Sequence, residues 1–207
     1  GIKIGRIERF IADFYSENQL SSEKLVPKTQ GKVAVIGSGP AGLTVAGDLA
    51  RKGFNVVVYE NEGEPGGVLL YGIPDFRLPK EIVRRETKNI EALGVTFVCN
   101  TMVGKDITID KMFEEGFDAV FIGTGTAIAK GLGIPGEDLK GVIQSSYLLR
   151  MNRLYRDGNV GIEEVPVEEG DEVVVIGAGN VAMDACRTAV MLKAKKVTCA
   201  YRKTIEF

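Results

Sequence analysis

Short apolar runs alternate along this chain with longer stretches in which apolar residues recur at helical spacing. Lys32–Ile36, Phe54–Tyr59, Val95–Cys99, Asp118–Ile122, Glu172–Ile176 and Val197–Arg202 are brief and mostly apolar, which predicts buried parallel strands. Helices are expected at Pro40–Lys52, closed by Gly53, and at Pro79–Leu93, with Ile82, Ile90 and Leu93 on one side and Gly94 as terminator. Further helices are expected at Ile109–Glu115, Ser146–Tyr155 and Asn180–Leu192. Strands alternating with helices predict an α/β fold built on an open, mostly parallel sheet. Ahead of them, Ile4, Ile7, Phe10, Ile11 and Phe14 form one helical apolar stripe, followed by a polar stretch from Ser16 to Gln30. That helix either packs back on the main body or connects to a domain upstream.

Two of the strand-to-helix transitions carry glycine patterns. Gly37-Ser38-Gly39-Pro40-Ala41-Gly42 follows Val33–Ile36, and Gly177-Ala178-Gly179-Asn180-Val181-Ala182 follows Val173–Ile176. With 26 glycines in 207 residues, a bare match to G-x-G-x-x-G/A carries little weight. Gly131–Gly136 matches as well, but no strand runs into it and Pro135 obstructs a helix there, so it is expected to be a loop. In the first copy Gly37 permits a tight turn, Gly39 leaves bare backbone for a pyrophosphate, and Gly42 lets the helix press on the sheet. Glu60 closes the following strand, where a carboxylate accepts hydrogen bonds from adenosine ribose hydroxyls; the alternative is a surface carboxylate at a strand end.

After the second copy the next strand finishes Tyr201-Arg202-Lys203, with no acid in the ribose position. An arginine there meets a 2′-phosphate and favours NADP over NAD; the alternative is that Arg202 and Lys203 are solvated charges. Arg187, further along the helix, reads as a surface or packing residue. Two dinucleotide turns imply two cofactors facing each other, as when hydride moves between a nicotinamide and a flavin. A single βαβ unit is present at the second turn, so the nicotinamide lobe is expected to be incomplete and the chain a fragment of a longer enzyme.

Composition narrows the reading. A formal net charge of −2 argues against a nucleic-acid surface or a polybasic membrane patch. No apolar run is long enough to span a bilayer, and the opening residues show no signal-peptide pattern. With no histidine, imidazole catalysis and histidine metal sites are excluded within the chain, and no metal site is expected. Cys99, Cys186 and Cys199 form no C-x-x-C and read as buried reduced thiols, which fits a cytoplasmic protein and disfavours a thiol–disulfide reductase.

The segments between the two turns are more specific. Glu60-Asn61-Glu62-Gly63-Glu64-Pro65-Gly66-Gly67-Val68, Tyr71-Gly72-Ile73-Pro74-Asp75-Phe76-Arg77-Leu78-Pro79-Lys80, Gly123-Thr124-Gly125-Thr126, Ile134–Glu137 and Gly179–Asp184 closely resemble the NADPH-dependent glutamate synthase small-subunit family. That family is similar to the flavin half of dihydropyrimidine dehydrogenase and to the large subunit of ferredoxin-dependent NADP transhydrogenase. The resemblance runs essentially from Ile4 to Arg202. It implies a two-dinucleotide-binding, glutathione-reductase-like flavoprotein. FAD contacts would map to Gly37, Ser38, Gly39, Pro40 and Ala41, to Glu60, Asn61, Gly66, Gly67 and Val68, and to Arg77, Val103, Thr124 and Gly125. For Arg77 the alternative is a salt bridge holding its loop, and for Val103 plain core packing. NADPH contacts would map to Ala178, Gly179, Asn180 and Val181, then to Arg202 and Lys203.

The resemblance further implies an enzyme passing hydride between NADPH and FAD. Electrons would go on singly to iron–sulfur clusters in a missing domain or a partner, such as the glutamate synthase large subunit. Hydride transfer itself asks for no side-chain acid, base or nucleophile, and no catalytic residue is assigned. Ile4–Phe14 looks like the family's junction after a cysteine-rich iron–sulfur domain, whose ligands are absent since no cysteine precedes Cys99. Lys193–Lys196 lacks the family's usual glycine, and the Gly-Asp segment that completes the flavin site lies outside the chain, so a non-catalytic FAD-binding or scaffold module is the alternative. The expected organisation is residues 1–30 as helix and linker, 31–145 as the FAD-binding part, 146–170 as connector and 171–207 as the first unit of the NADPH lobe. Helix positions Val181, Ala185 and Val190 and strand Val197–Ala200 are expected to lack neighbours and to favour a homodimer.

Overall fold

The structure is a computed structural model that describes residues 1–18, 25–126 and 128–203. Its first sheet has four parallel strands: β1 (Lys32–Ile36), β2 (Asn55–Tyr59), β3 (Thr96–Val98) and β4 (Ala119–Ile122), in the order β3-β2-β1-β4. β1 lies inside this sheet, paired on both sides, with Ile36 opposite Tyr59 and Ile122. That position explains its unbroken apolar sequence, since Val33 to Ile36 are all buried.

Helix α1 (Ile4–Glu17) stands ahead of the sheet, and α2 (Pro40–Arg51) crosses from β1 to β2. On one face of the sheet Ala46 and Ala50 of α2 join Val35, Val56, Val58, Leu93 and Val95 in one core cluster. On the other face Ala34, Ile36 and Tyr59 pack with Phe117 and with Met112. The last lies on α5 (Ile109–Glu114). Tyr59 and Phe117 meet edge to face at 6.2 Å between centroids.

Between β2 and β3 run a four-residue helix, α3 (Val68–Tyr71), and α4 (Lys80–Ala92). Lys80, Val83 and Thr87 are the buried residues of α4; Ile90 and Leu93 pack on the first core cluster as expected, whereas Ile82 is only half-buried. After β4, Gly131–Gly136 is a loop without strand or helix, as expected. Its Leu132 and Gly133 amides are taken by the chain's own Glu137 carboxylate at 2.6 and 2.8 Å.

Helix α6 (Ser145–Arg156) leads through a 3-10 turn (Ile162–Glu164) to a second, two-stranded parallel sheet of β5 (Glu172–Ile176) and β6 (Lys196–Ala200), joined by α7 (Asn180–Met191). The small residues Ala182, Ala185 and Ala189 bring α7 down onto this pair, and Leu148 of α6 joins their cluster. Ala185 is therefore buried, contrary to expectation, whereas Val181 and Val190 on the same helix are exposed.

Three further departures matter. β6 ends at Ala200, so Tyr201, Arg202 and Lys203 lie beyond the strand. The α1 helix forms, yet none of its residues is buried and its apolar stripe faces solvent, so it does not pack back on the body. Cys99 and Cys186 are half-buried rather than buried, and Cys199 is exposed.

Candidate dinucleotide site

The two glycine turns share one backbone conformation. Gly37 and Gly177 have φ of +93° and +120°, in the region open to glycine. The N-cap glycines follow at φ −69°, ψ −177° (Gly39) and φ −77°, ψ 176° (Gly179), and no side chain caps either helix. First-turn amides of a helix have no carbonyl four residues back, so Ala41, Gly42, Val181 and Ala182 present donors at the positive end of a helix dipole. Pro40 at the first helical position of α2 gives up no donor that the helix would use.

Close approach explains the glycines. A Cβ on Gly42 would lie 1.9 Å from the Gly37 carbonyl oxygen, and one on Gly37 would lie 2.5 Å from that of Gly123. Gly67, at φ +51°, has room for no Cβ either, because Gly39 Cα would be 2.7 Å away. Gly39 and Gly179 differ: a Cβ there meets nothing within 4 Å, so the space beside each turn is open. That open, amide-lined space is what a diphosphate requires.

Glu60 organises the first turn. It is 4% exposed, and its Oε2 accepts from the Ser38 amide at 3.0 Å and from the Ser38 hydroxyl, while Oε1 accepts from the Glu62 amide at 2.9 Å. The Ser38 hydroxyl also accepts from the Gly66 amide at 2.9 Å, so Ser38 ties the turn to the 66–67 loop. The Ser38 amide is thereby committed to Glu60. Oε1, which accepts one bond, still has lone-pair capacity for a ribose hydroxyl.

Beside the turn, Ile36, Val103, Gly104, Thr108, Ile109, Asp110, Ile122 and Thr124 line an open groove of about 330 Å³. Val103 is half-buried, packed against the Tyr59 cluster and bridged to Ile107, and Thr124 is exposed at the groove with Gly125 next to it at φ +68°. The fold thus brings Gly37–Ala41, Glu60, Val103 and Thr124 to the C-terminal ends of the strands, where open parallel sheets bind ligands. Asn61 and Val68 are exposed and Gly66 is buried on the adjoining loop.

Arg77 sits apart from this cluster. Its Nε donates to Oδ1 of Asp184 on α7, and Arg187 of the same helix lies 3.9 Å over the Phe76 ring. At the second turn Ala178, Gly179, Asn180 and Val181 are exposed, as are Arg202 and Lys203 beyond β6.

Sequence reasoning missed Lys80. It is 2% exposed, and its Nζ donates to the carbonyls of Leu69, at 2.9 Å, and Ile73, which pins the α3 segment beside the turn. Burial pushes its pKa down to about 8. Also unanticipated is the polar frame on α6: Arg150 grips Glu62 at 2.7 and 2.9 Å, while Arg153 and Arg156 hold Asp75 at 2.8 and 2.9 Å. The signal available was the cluster of arginines in Arg150–Arg156 opposite the acids of Glu60–Asp75.

A doubly turned, parallel-stranded dinucleotide architecture defines the class, and comparison with known proteins gives the family. The pyridine nucleotide-disulphide oxidoreductase model matches residues 31–205, and the chain belongs to that family. It is 41% identical over 208 residues to the small chain of NADPH glutamate synthase from Escherichia coli K12, covering 99% of this chain and 44% of that protein. It is 37% identical over 206 residues to the NAD-dependent dihydropyrimidine dehydrogenase subunit PreT of Escherichia coli O157:H7, covering 99% and 47%. Among solved structures it resembles Mycobacterium tuberculosis FprA in complex with NADPH, with a TM-score of 0.69 and 26% identity over 84% of this chain and 43% of that one. The chain spans less than half the length of these relatives. Among the described residues, no helix is long and apolar enough to cross a membrane.

Proposed function

We propose that this chain is the flavin lobe and the opening of the nicotinamide lobe of a cytoplasmic oxidoreductase that passes hydride between NADPH and FAD. The type is that of the glutamate synthase small subunit, with electrons delivered to the iron–sulfur centres of a large subunit or another acceptor. Residues 31–145 are the flavin lobe, 146–170 the connector and 171–207 the start of the nicotinamide lobe, with 1–30 as helix and linker.

The observation that carries this reading is the pair of open, uncapped turns with matching backbone angles at Gly37–Gly39 and Gly177–Gly179. In the first, the amides after Gly39 hold the pyrophosphate, Glu60 takes the ribose, and the groove at Val103 and Thr124 takes the adenine. Gly66, Gly67 and Val68 border the flavin ring. Arg77 spends only Nε–H on Asp184, which leaves other guanidinium donors for the flavin. In the second turn, Ala178–Val181 hold the nicotinamide dinucleotide's pyrophosphate, and Arg202 and Lys203 take its 2′-phosphate. Bound flavin supplies hydride acceptance and one-electron release, while these residues bind and orient.

Purified chain incubated with FAD and then desalted tests the reading. Retention of flavin absorbance near one equivalent is expected, with bleaching when NADPH is added without oxygen. Colourless protein after desalting overturns the flavin assignment, and retained flavin that NADPH does not bleach overturns the hydride assignment.

A further inference from the structure

Helix α7 and strand β6 also bring two thiols together. Cys186, midway along α7, packs against the cluster of Leu148, Val175, Ala182, Ala185 and Ala189. Val197 of β6 packs on the same cluster. Side chains two apart on a strand share a face, so Cys199 points to the α7 side as well. Its register partner is the buried Val175. The alanines leave little bulk between helix and sheet, and Cα atoms of α7 and β6 approach within 8 Å.

Cys186 and Cys199 thus face one another across the α7–β6 seam, near enough for each sulfur to feel the other. Burial, and then the neighbouring Cys199 sulfur, pushes the Cys186 thiol up. Cys199 donates from Sγ to the Gly177 carbonyl at 3.0 Å. Both cysteines are free, and Cys199 is exposed to solutes. A solvent-reachable thiol next to a half-buried one, in a unit lined with small side chains, is the arrangement of an attacking and a resolving cysteine.

We propose that Cys186 and Cys199 form a reversible intramolecular disulfide, a redox-sensitive modification site under the second glycine turn. With hydrogen peroxide as oxidant, the Cys199 sulfur attacks the O–O bond and becomes a sulfenic acid, releasing one water after proton transfer. The Cys186 sulfur then attacks Cys199, its proton leaving with the sulfenic hydroxyl as a second water. Two thiols are oxidised to one disulfide and one peroxide is reduced to two waters; a dithiol reverses the change by exchange. Disulfide formation removes the Cys199 proton, so the Gly177 carbonyl loses its donor.

Reduced chain is treated with hydrogen peroxide, its remaining thiols are alkylated, and it is digested with trypsin without reduction. Cleavage after Arg187 and Lys196 separates the two cysteines, so a disulfide appears as linked peptides. Expected are that linked pair, an intact mass lower by two hydrogens, reversal by dithiothreitol, and an alkylated Cys99. Cys186→Ala, which keeps apolar packing, should leave Cys199 as a sulfenic acid trapped by dimedone, and Cys199→Ser should leave Cys186 alkylatable. In the unsubstituted chain, Cys199 overoxidised with Cys186 still alkylated, or Cys199-linked dimers in place of the internal bond, overturns the proposal.

Discussion

Arg77 and Asp184 are ion-paired, Nε to Oδ1, and the pair joins the loop ahead of α4 to the helix that springs from the second glycine turn. The neighbours repeat the contact, Phe76 lying under Arg187 one helical turn further along α7. The two members are unequally buried: the Asp184 side chain is 7% exposed and that of Arg77 39%. Arg77→Ala leaves a buried carboxylate without its cation and should cost about 3 kcal/mol. Asp184→Asn leaves a guanidinium that water can reach and should cost only about 1 kcal/mol. Urea unfolding of both variants checks the order; equal costs would mean that burial of Asp184 does not govern the pair.

Gly39 and Gly42 lie three residues apart and should fail differently. Alanine at 39 meets nothing within 4 Å and suits φ −69°, so Gly39→Ala should unfold with the parent in the absence of cofactor. Its methyl occupies the open space beside the turn, and FAD affinity should fall on the order of 100-fold, about 2.7 kcal/mol. Alanine at 42 collides with the Gly37 carbonyl, so Gly42→Ala should lose stability with or without FAD. Gly39→Ala binding FAD like the parent would place the diphosphate elsewhere.

The periodicities that place β1, α2, β5 and α7 are local, and the sequence read them to within a residue or two. The two glycine turns were legible because each glycine answers to a nearby strand or helix. What escaped depends on distant partners. Lys80 is buried because the carbonyls of Leu69 and Ile73 receive its ammonium, which no periodicity encodes. Val83 and Thr87 turn inward with it, in place of Ile82. Arg77 finds Asp184 across 107 positions of chain, so only the fold could show which of its two readings, ion pair or open cation, its Nε serves.

Lys80 makes stability depend on alkaline pH. Its pKa is about 8 in the fold, lowered chiefly by burial against the attraction of Asp75, and 10.5 is the ordinary value. Between these values the unfolded chain binds the extra proton, so the cost of the buried charge is present below pH 8 and is relieved as pH rises towards 10.5. Tyr71, pushed up to about 12 by burial, works the other way above pH 10, because its folded state holds the proton. Comparison with Lys80→Met cancels the tyrosine contribution. The stability of the parent relative to Lys80→Met should grow by up to about 3 kcal/mol across the window, measured by urea midpoints at pH 7 and 10. A constant difference would show that Lys80 keeps an ordinary pKa.

On the proposed function, the choice between NADP and NAD rests on residues past the end of β6. Arg202 and Lys203 are exposed there, and no acid occupies the strand end that Glu60 fills in the first lobe. Among the described residues, a 2′-phosphate brought to that end would meet two cations, whereas a free ribose would meet no carboxylate acceptor. Calorimetry should therefore show 2′,5′-ADP binding more tightly than ADP. Arg202→Ala should weaken 2′,5′-ADP about tenfold, the scale of one charge-assisted contact, and leave ADP nearly unchanged. Lys203→Ala should do less, because an ammonium acts as a point charge without the paired donors of a guanidinium. Equal losses for both nucleotides would remove Arg202 from the 2′-phosphate and make it a solvated charge beyond the strand.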